Sequence, residues 1–371
     1  MTAASTMAPD TELLHSPFTL GELTLANRLV MSPMTRSRGT LDNRPGPLAA
    51  TYYAQRASAG LIITEGTQTS ATAKGFSRVP GIFTDAQVTE WREVTDAVHD
   101  AGGKIFVQLW HCGRISHHLS QPGHQPPVAP SAVRAEAFVV LDDGTRVEAD
   151  TPRAFETAEL PLLIDEFVSA ARNAIAAGFD GVELHGANGY LLHQFLSPST
   201  NLRTDGYGTT PAGRMRLVLE LAEAVGAAVG RERTGIRLSP LNRYNDIGDP
   251  GSGDFYTGLV GELDRIGLGY IHMVEGQAGQ VRDLEGIDHH AWRRRFSGAW
   301  IVNNMYDRVL AEAALNAGSA DLISFGRPFI ANPDLVERYR IGAPLNEVDF
   351  ATAYRGDAPG YTDYPFLTDR A

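Results

Sequence analysis

The sequence predicts an α/β fold, a single (β/α)8 barrel of the TIM-barrel type, and three observations support that prediction. Eight short runs of β-branched or aliphatic residues recur along the chain, and most are separated by segments with helical periodicity. Strands that alternate with helices form a parallel sheet, and eight such repeats close into a barrel. Several helices also end at a glycine that suits the left-handed cap conformation, directly before the next strand.

Each element can be placed in order along the chain. The predicted strands are residues 27–33, 61–65, 104–110, 181–185, 234–239, 270–275, 299–303 and 321–325. The predicted helices are residues 48–59, 85–101, 162–177, 211–229, 254–266, 307–317 and 333–339.

Two hairpins complete the predicted fold. Residues 18–25 alternate about Gly21, so we expect an N-terminal β-hairpin that closes the lower end of the barrel. The connection after the third strand, residues 111–159, is long, rich in proline and glycine, and contains strand-like pieces at 137–141 and 145–148. We expect this insertion to be a loop and hairpin that lie over the site.

The length is compatible with one domain. The chain has 371 residues, and single barrels run from about 200 to over 400 residues with their insertions. We expect residues 1–12 to be a flexible N-terminus and residues 13–371 to form one barrel domain. The single cysteine, Cys112, excludes an intramolecular disulfide and an iron–sulfur cluster held by several cysteines of this chain.

The charge balance favours small-molecule partners. A net charge of −12 opposes non-specific attraction to nucleic acids and to anionic membranes. No apolar run approaches the roughly 20 residues that span a bilayer, and the first residues lack a basic region followed by an apolar one. We therefore expect a cytoplasmic protein without nucleic-acid or membrane partners.

Residues suited to chemistry follow the predicted strands, at the barrel end where active sites lie. The densest group is His185, Asn188 and Tyr190. His185 and Asn188 can donate hydrogen bonds to an oxygen that gains negative charge, and the Tyr190 phenol, with an ordinary pKa of about 10, can release a proton nearby. This combination predicts a site that reduces an activated double bond. The other candidates at strand ends are Pro33, Met34, Thr35, Gly66, Gln108, Trp110, Arg237, Asn303, Asn304, Gly326 and Arg327.

These motifs resemble those of the old yellow enzyme family of flavin-dependent ene-reductases, particularly its bacterial members that reduce nitrate esters and maleimides. The resemblance covers nearly the whole chain. Its most specific pieces are residues 108–111 (QLWH), 113–117 (GRISH), 182–196, 197–199 (SPS), 325–327 (FGR), 331–334 (ANPD) and 360–365 (GYTDYP).

The resemblance implies a bound FMN. Arg237 would place a permanent cation beside the pyrimidine edge of the flavin and favour its anionic reduced form. Gln108 would offer a donor and an acceptor to the imide edge, and the Thr35 hydroxyl would donate to a ring carbonyl. The resemblance also places Pro33, Met34 and Gly66 against the flavin.

The FMN phosphate is expected after strands seven and eight. Gly326 would supply a close-approach amide there and Arg327 a bidentate cation. The pair Asn303 and Asn304 departs from the family pattern, which usually has a glycine in this loop. Asparagine tolerates positive φ better than other non-glycine residues, so the amides of this loop are still expected to turn toward the phosphate.

By the same resemblance, His185 and Asn188 bind the substrate oxygen and Tyr190 protonates the α-carbon. NADPH, with NADH able to replace it, reduces the flavin, and an enone, maleimide, nitro compound or quinone is then reduced in a ping-pong sequence. We expect a monomer or a homodimer. Trp110, Phe76 and Tyr354 are expected to line the substrate pocket, with Phe76 where close relatives often have tyrosine.

Two other functions remain open at this point. A flavin-free barrel lyase or isomerase could use Gly326 and Arg327 for a phosphorylated substrate, and a flavin-binding sensor could use the same site without catalysis. We expect no metal, because the histidine pairs at 117–118 and 289–290 have no spaced carboxylate or cysteine partner in sequence. Cys112 is expected at the pocket edge or buried.

Overall fold

The computed structural model describes residues 13–247, 253–280, 282–284 and 286–370. Within these ranges eight parallel strands close a barrel, each paired with the next along the chain and the last paired with the first. The predicted (β/α)8 fold is confirmed. The strands are β1 Leu29–Met31, β2 Leu61–Gln68, β3 Ile105–Trp110, β4 Gly181–Gly186, β5 Thr234–Leu238, β6 Tyr270–Val274, β7 Ala299–Asn303 and β8 Leu322–Phe325. The predicted flexible N-terminus, residues 1–12, lies outside the described residues.

Helices connect most of these strands. They are α1 Ala49–Ala54, α2 Asp85–Asp100, α3 Leu160–Ala176, α4 Leu191–Leu196, α5 Pro211–Val229, α6 Gly253–Ile266, α7 His289–Arg295, α8 Arg308–Asn316, α9 Arg327–Ala331 and α10 Leu335–Ile341. The helices α4, α7 and α9, which have six, seven and five residues, are not among those predicted from the sequence. In the described part of the chain, no helix is long and apolar enough to cross a lipid bilayer.

Helix α2 illustrates how the sequence sets an element's bounds. Its N-terminus is closed by a capping box, in which the Thr84 hydroxyl accepts from the Gln87 amide and the Gln87 side chain accepts from the Thr84 amide. Trp91, Val94 and Val98, spaced by three and four residues, form the face that is buried against the barrel. The two signals together explain why the predicted and observed helices nearly coincide.

Helix α1 is shorter than the helix predicted at 48–59, because it ends five residues earlier. The chain turns there so that Arg56 points inward, where its guanidinium donates to the carbonyl oxygens of Phe329 and Ile330 at 2.8 and 2.9 Å. A buried guanidinium needs such acceptors, because an unpaired buried charge is costly.

The floor of the barrel is closed by the predicted N-terminal hairpin, whose strands Phe18–Leu20 and Leu23–Leu25 pair antiparallel. Gly21 forms the turn with a φ of 57°, a conformation that glycine adopts at little cost. Residues from both hairpin strands pack in one buried cluster with Phe106 and Tyr270. The hairpin therefore covers the end of the barrel opposite the candidate site.

The predicted insertion hairpin forms from Phe138–Val140 and Arg146–Glu148. Val139 of this hairpin belongs to a buried cluster that also contains Trp110 and Tyr190. The hairpin thus sits over the C-terminal end of the barrel, as expected.

A C-terminal segment, residues 350–360, lies on the same end of the barrel. Two buried arginines from the loop after β1 hold it through its backbone. Arg36 donates to the carbonyl oxygen of Gly360 at 2.7 Å, and Arg38 donates to that of Thr352 at 2.7 Å. Charged donors make these bonds stronger than neutral ones, so the segment and the β1 loop form one unit.

Candidate active site

One cavity of about 530 Å³ opens at the C-terminal end of the barrel. It collects fifteen of the sixteen site residues chosen from the sequence. They are Pro33, Met34, Thr35, Gly66, Phe76, Gln108, Trp110, His185, Asn188, Tyr190, Arg237, Asn303, Gly326, Arg327 and Tyr354. A larger groove of about 1110 Å³ runs between α5 and α6 on the outside of the barrel, and none of the sixteen lines it.

Seven further residues line the cavity that were not predicted from the sequence. They are Ser32, Ser37, Val140, Tyr244, Ile330, Phe350 and Arg355. Val140 belongs to the insertion hairpin, and Tyr244 follows β5 in the loop after Arg237. Most of the seven lie in the connections at the C-terminal barrel end, which was the available signal, but sequence alone does not say which residues of those connections turn inward.

Strand register sets the neighbours within the site. Residues directly opposite each other on adjacent strands include His185 and Arg237, and Gly66 and Gln108. Alternate residues of each strand point into the barrel. The register thus brings side chains that are far apart in sequence to one level at the barrel mouth.

The end of β4 presents His185 as a neutral group. Burial lowers the pKa of its imidazole well below the ordinary value of 6.5, and the Arg237 charge lowers it further. Its buried Nδ1 has no hydrogen-bond partner among the described residues. A neutral imidazole carries one N–H donor, which suits an oxygen that becomes negative.

Asn188 is held so that its side-chain nitrogen, Nδ2, can donate into the cavity. Its φ of 58° turns the chain after β4, and its backbone N–H donates to the Ser239 hydroxyl at 2.8 Å. Its side-chain oxygen, Oδ1, accepts from Asn242 Nδ2 at 2.7 Å. Its Nδ2 has no partner in the part of the chain that the structure describes. Because the oxygen is already occupied, the side chain presents a donor to the cavity.

Tyr190 is the N-cap residue directly before helix α4 and is 8% exposed at the cavity. Burial raises the pKa of its hydroxyl well above the ordinary value of 10, and the neighbouring Tyr244 raises it further. Its ring packs edge-on against Trp110 with centroids 4.8 Å apart. Tyr190 therefore stays protonated at neutral pH and is fixed in place by packing.

Gly66 leaves the space that the Trp110 ring occupies, since a Cβ on Gly66 would lie 2.6 Å from that ring. Gly66→Ala is expected to displace the indole and to lower the free energy of unfolding by about 1–3 kcal/mol, the usual cost of overpacking. Urea denaturation would measure it. The exposed helical Gly258→Ala should instead be neutral or stabilising, because its Cβ meets only ordinary contacts. An equal effect of both substitutions would contradict this account.

Arg237 lines the cavity above a buried hydrogen-bond network that is centred on Glu183. Its Nη2 donates to Asn303 Oδ1 at 2.8 Å, while its buried Nε has no partner among the described residues. Below it, Glu183 accepts from Gln108 Nε2 at 2.7 Å and contacts His272 Nδ1 at 2.8 Å. A buried donor without an acceptor costs free energy, so Arg237 fits a ligand that supplies one.

The residues expected near a phosphate are only partly brought together. Gly326 and Arg327 line the cavity, and the exposed Arg327 guanidinium stacks 5.5 Å from the Phe350 ring centre. Asn304 does not line the cavity. Its φ of 111° is positive, as expected, but its side chain accepts from the Gly279 amide and donates to backbone carbonyl oxygens of the loop after β6. It therefore holds that neighbouring loop.

The expectation that the pair His117–His118 has no carboxylate partner is wrong for the folded chain. Asp150 reaches them from the far end of the insertion, and the three ligand atoms lie within 4.8 Å of one another. Asp150 accepts from the His118 amide at 2.6 Å, and His117 Nδ1 accepts from the Leu119 amide. These hydrogen bonds indicate that the cluster stabilises the fold of the insertion.

Cys112 is buried and does not line the cavity. Burial raises the pKa of its thiol well above the ordinary value of 9.0. The thiol therefore stays protonated and unreactive, which agrees with the expected buried position.

Comparisons with known proteins agree with this geometry. 12-Oxophytodienoate reductase 1 of Oryza sativa subsp. japonica is 43% identical over 361 residues, which cover 96% of this chain and 93% of that protein. Morphinone reductase has a solved structure that superposes with a TM-score of 0.91 at 49% identity, covering 96% of this chain and 97% of the other. Another structure of it, with a TM-score of 0.90 and 48% identity, contains tetrahydroNAD and covers 95% and 97% of the two chains.

The old yellow enzyme homologue from Zymomonas mobilis superposes with a TM-score of 0.90 at 42% identity, covering 95% of this chain and 99% of the other. A sequence model of one family matches residues 13–346. The resemblance drawn from the sequence motifs is confirmed. The chain belongs to the NADH:flavin oxidoreductase / NADH oxidase family.

Proposed function

We propose that the protein is an FMN-dependent NAD(P)H oxidoreductase that reduces the activated double bond of enones, maleimides and nitro compounds. The observation that carries the proposal is the shared cavity. His185 and Asn188 present donors to it, and the protonated Tyr190 lies beside them. Donors for a developing negative charge and an acid for the adjacent carbon are the two elements that this reduction requires.

FMN fits the remaining groups. Among the described residues, Arg237 Nε and the Gln108 oxygen have no hydrogen-bond partner. Both suit the polar edge of a flavin, and Thr35 suits a ring carbonyl. Bound FMN would supply the two-electron hydride chemistry that no side chain provides. We assign its ring to these residues with Pro33, Met34 and Gly66, and its phosphate to Asn303, Gly326 and Arg327.

The side chains then divide the work on the substrate. His185 and Asn188 bind the carbonyl or nitro oxygen and stabilise the charge that it gains, without themselves changing protonation. Tyr190 donates its proton to the α-carbon of the substrate. Trp110 and Phe76 stack with ring centroids 5.8 Å apart and shield this part of the cavity from water, which strengthens these electrostatic contacts. Tyr354 lines the more exposed rim of the cavity.

The reductant is a nicotinamide dinucleotide that uses the same cavity before the second substrate enters. The complex of morphinone reductase with tetrahydroNAD supports this assignment. We propose NADPH as the reductant, with NADH able to replace it, so that the enzyme is an NADPH dehydrogenase as well as an ene-reductase.

The first test is optical. Purified protein is expected to be yellow, to lose its visible absorption when NADPH is added without oxygen, and to recover it when cyclohexenone is added. A stopped-flow spectrophotometer measures both steps, and NADH in place of NADPH gives the preference. A colourless protein that does not take up FMN would overturn the proposal and favour a flavin-free lyase or isomerase. Bleaching without recovery by any oxidant would favour a sensor.

A further inference from the structure

Arg355, which lines the cavity, has an unusual backbone conformation. It follows Tyr354 in the C-terminal segment and has a φ of 68°. That left-handed conformation is uncommon for a residue with a long side chain and costs free energy. The neighbouring Arg36 carbonyl holds it by accepting from the Arg355 amide at 2.9 Å. Residues kept in such conformations by their surroundings are concentrated at functional sites.

The Arg355 guanidinium is not used in polar contacts with the described part of the protein. It makes no side-chain hydrogen bond and no ion pair with any residue that the structure describes, although it is half-buried. The carboxylates of the nearby hairpin turn are engaged elsewhere, since Asp142 pairs with Lys74 at 2.8 Å and Asp143 accepts from the Thr145 amide at 2.8 Å.

The cavity as a whole favours an anion. Arg237, Arg327 and Arg355 line it, and among the described residues no aspartate or glutamate does. This contrasts with a chain whose net charge is −12. A concave site lined by one sign of charge concentrates ligands of the opposite sign.

Arg355 lies on the substrate side of this cavity. A Cβ placed on Gly144, in the turn of the insertion hairpin that follows β3, would be 3.6 Å from Arg355 Nη1. The candidate phosphate residues Gly326 and Arg327 instead follow β8, which is separated from β3 by two strands of the barrel. A group held by Arg355 therefore lies toward Trp110 and the hairpin.

From these observations we propose that Arg355 binds an anionic oxygen, of a carboxylate or a phosphate, on the compound that occupies the cavity beside Tyr354. The inference rests on the proposed function, because it concerns the second substrate or the nicotinamide dinucleotide. A carboxylate would belong to the substrate, whereas a phosphate would belong to the reductant. In either case Arg355 selects among ligands and takes no part in the reaction itself.

The test compares a cyclohexenone that carries a carboxylate with its methyl ester. In Arg355→Asn, which removes the charge and tolerates positive φ, the KM of the acid relative to that of the ester is expected to rise about five- to tenfold. Arg355→Lys should recover part of this loss. High salt should produce a similar relative loss in the unmodified enzyme, because it screens a half-exposed cation. Arg265→Asn, a control at the exposed end of α6, should leave the ratio unchanged.

Anaerobic flavin reduction provides the second arm. If Arg355→Asn weakens NADPH binding by the same factor and leaves the acid-to-ester ratio unchanged, the anion is the dinucleotide phosphate and the inference stands. If neither quantity changes beyond the effect of Arg265→Asn, in a variant that retains FMN, the inference is overturned. Failure of the unmodified enzyme to reduce even the neutral ester would instead overturn the proposed function.

Discussion

Replacing Tyr190 with phenylalanine is expected to slow enone reduction by about 100- to 10,000-fold, the range that a positioned general acid contributes. The substitution removes one oxygen and leaves the ring against Trp110. Quinone reduction should remain nearly unchanged, because a quinone that accepts two electrons on its oxygens can take its protons from water. The measurement is the rate of flavin reoxidation by cyclohexenone and by a benzoquinone, each after anaerobic reduction.

Tyr244→Phe is the matched control, since Tyr244 lines the same cavity and also carries a phenol. It should affect both oxidants little. Equal losses with the two oxidants in Tyr190→Phe would show that the hydroxyl is not the proton source. Such a result would leave the assignment of His185 and Asn188 intact, because they act on the oxygen and not on the carbon.

The second large effect is expected from His185→Ala, with a loss of about 100- to 1000-fold in kcat for enones, the usual cost of removing one donor to a developing anion. His185→Gln retains an N–H at a similar reach and should recover part of the rate. Asn242→Ala should cause a smaller loss, because it frees the Asn188 oxygen and lets that amide reorient. A kcat for His185→Ala within a factor of about three of the unmodified enzyme would contradict the role given to the imidazole.

The pH profile provides an independent check on the same residue. Since burial and Arg237 lower the pKa of His185 well below 6.5, the imidazole stays neutral throughout the neutral range. Enone reduction should therefore show no inflection from His185 near pH 6.5. An inflection near that pH that disappears in His185→Gln would show that the imidazolium, and not the neutral ring, binds the substrate.

The sequence predicted the barrel and most of its cavity for related reasons. Strands of a parallel barrel are buried on both faces, so their apolar runs stand out, and their C-terminal ends converge at one place. Once the strands are located, residues such as Gln108 and Arg237 must meet at the mouth of the barrel. Periodicity and topology therefore predicted the neighbourhood of the site without any contact being known.

Other parts of the site depend on loop paths that carry no period. Phe350 and Arg355 line the cavity in a C-terminal segment that buried arginines hold there, and the Asn304 side chain bonds to another loop. The contact between Asp150 and the histidine pair likewise spans an insertion of irregular structure. Such polar contacts join residues that are far apart in the chain, so they produce no periodic pattern in the sequence.

The way in which Arg36 and Arg38 hold the C-terminal segment affects which of its side chains can change during evolution. Every acceptor that they use in residues 350–360 is a main-chain oxygen, an atom that all amino acids possess. Side chains at 350 and 354 can thus be exchanged without loosening the anchorage, and position 355 accepts those residues that tolerate its φ of 68°. A combinatorial library at those three positions should yield folded, flavin-loaded variants with altered substrate range at high frequency.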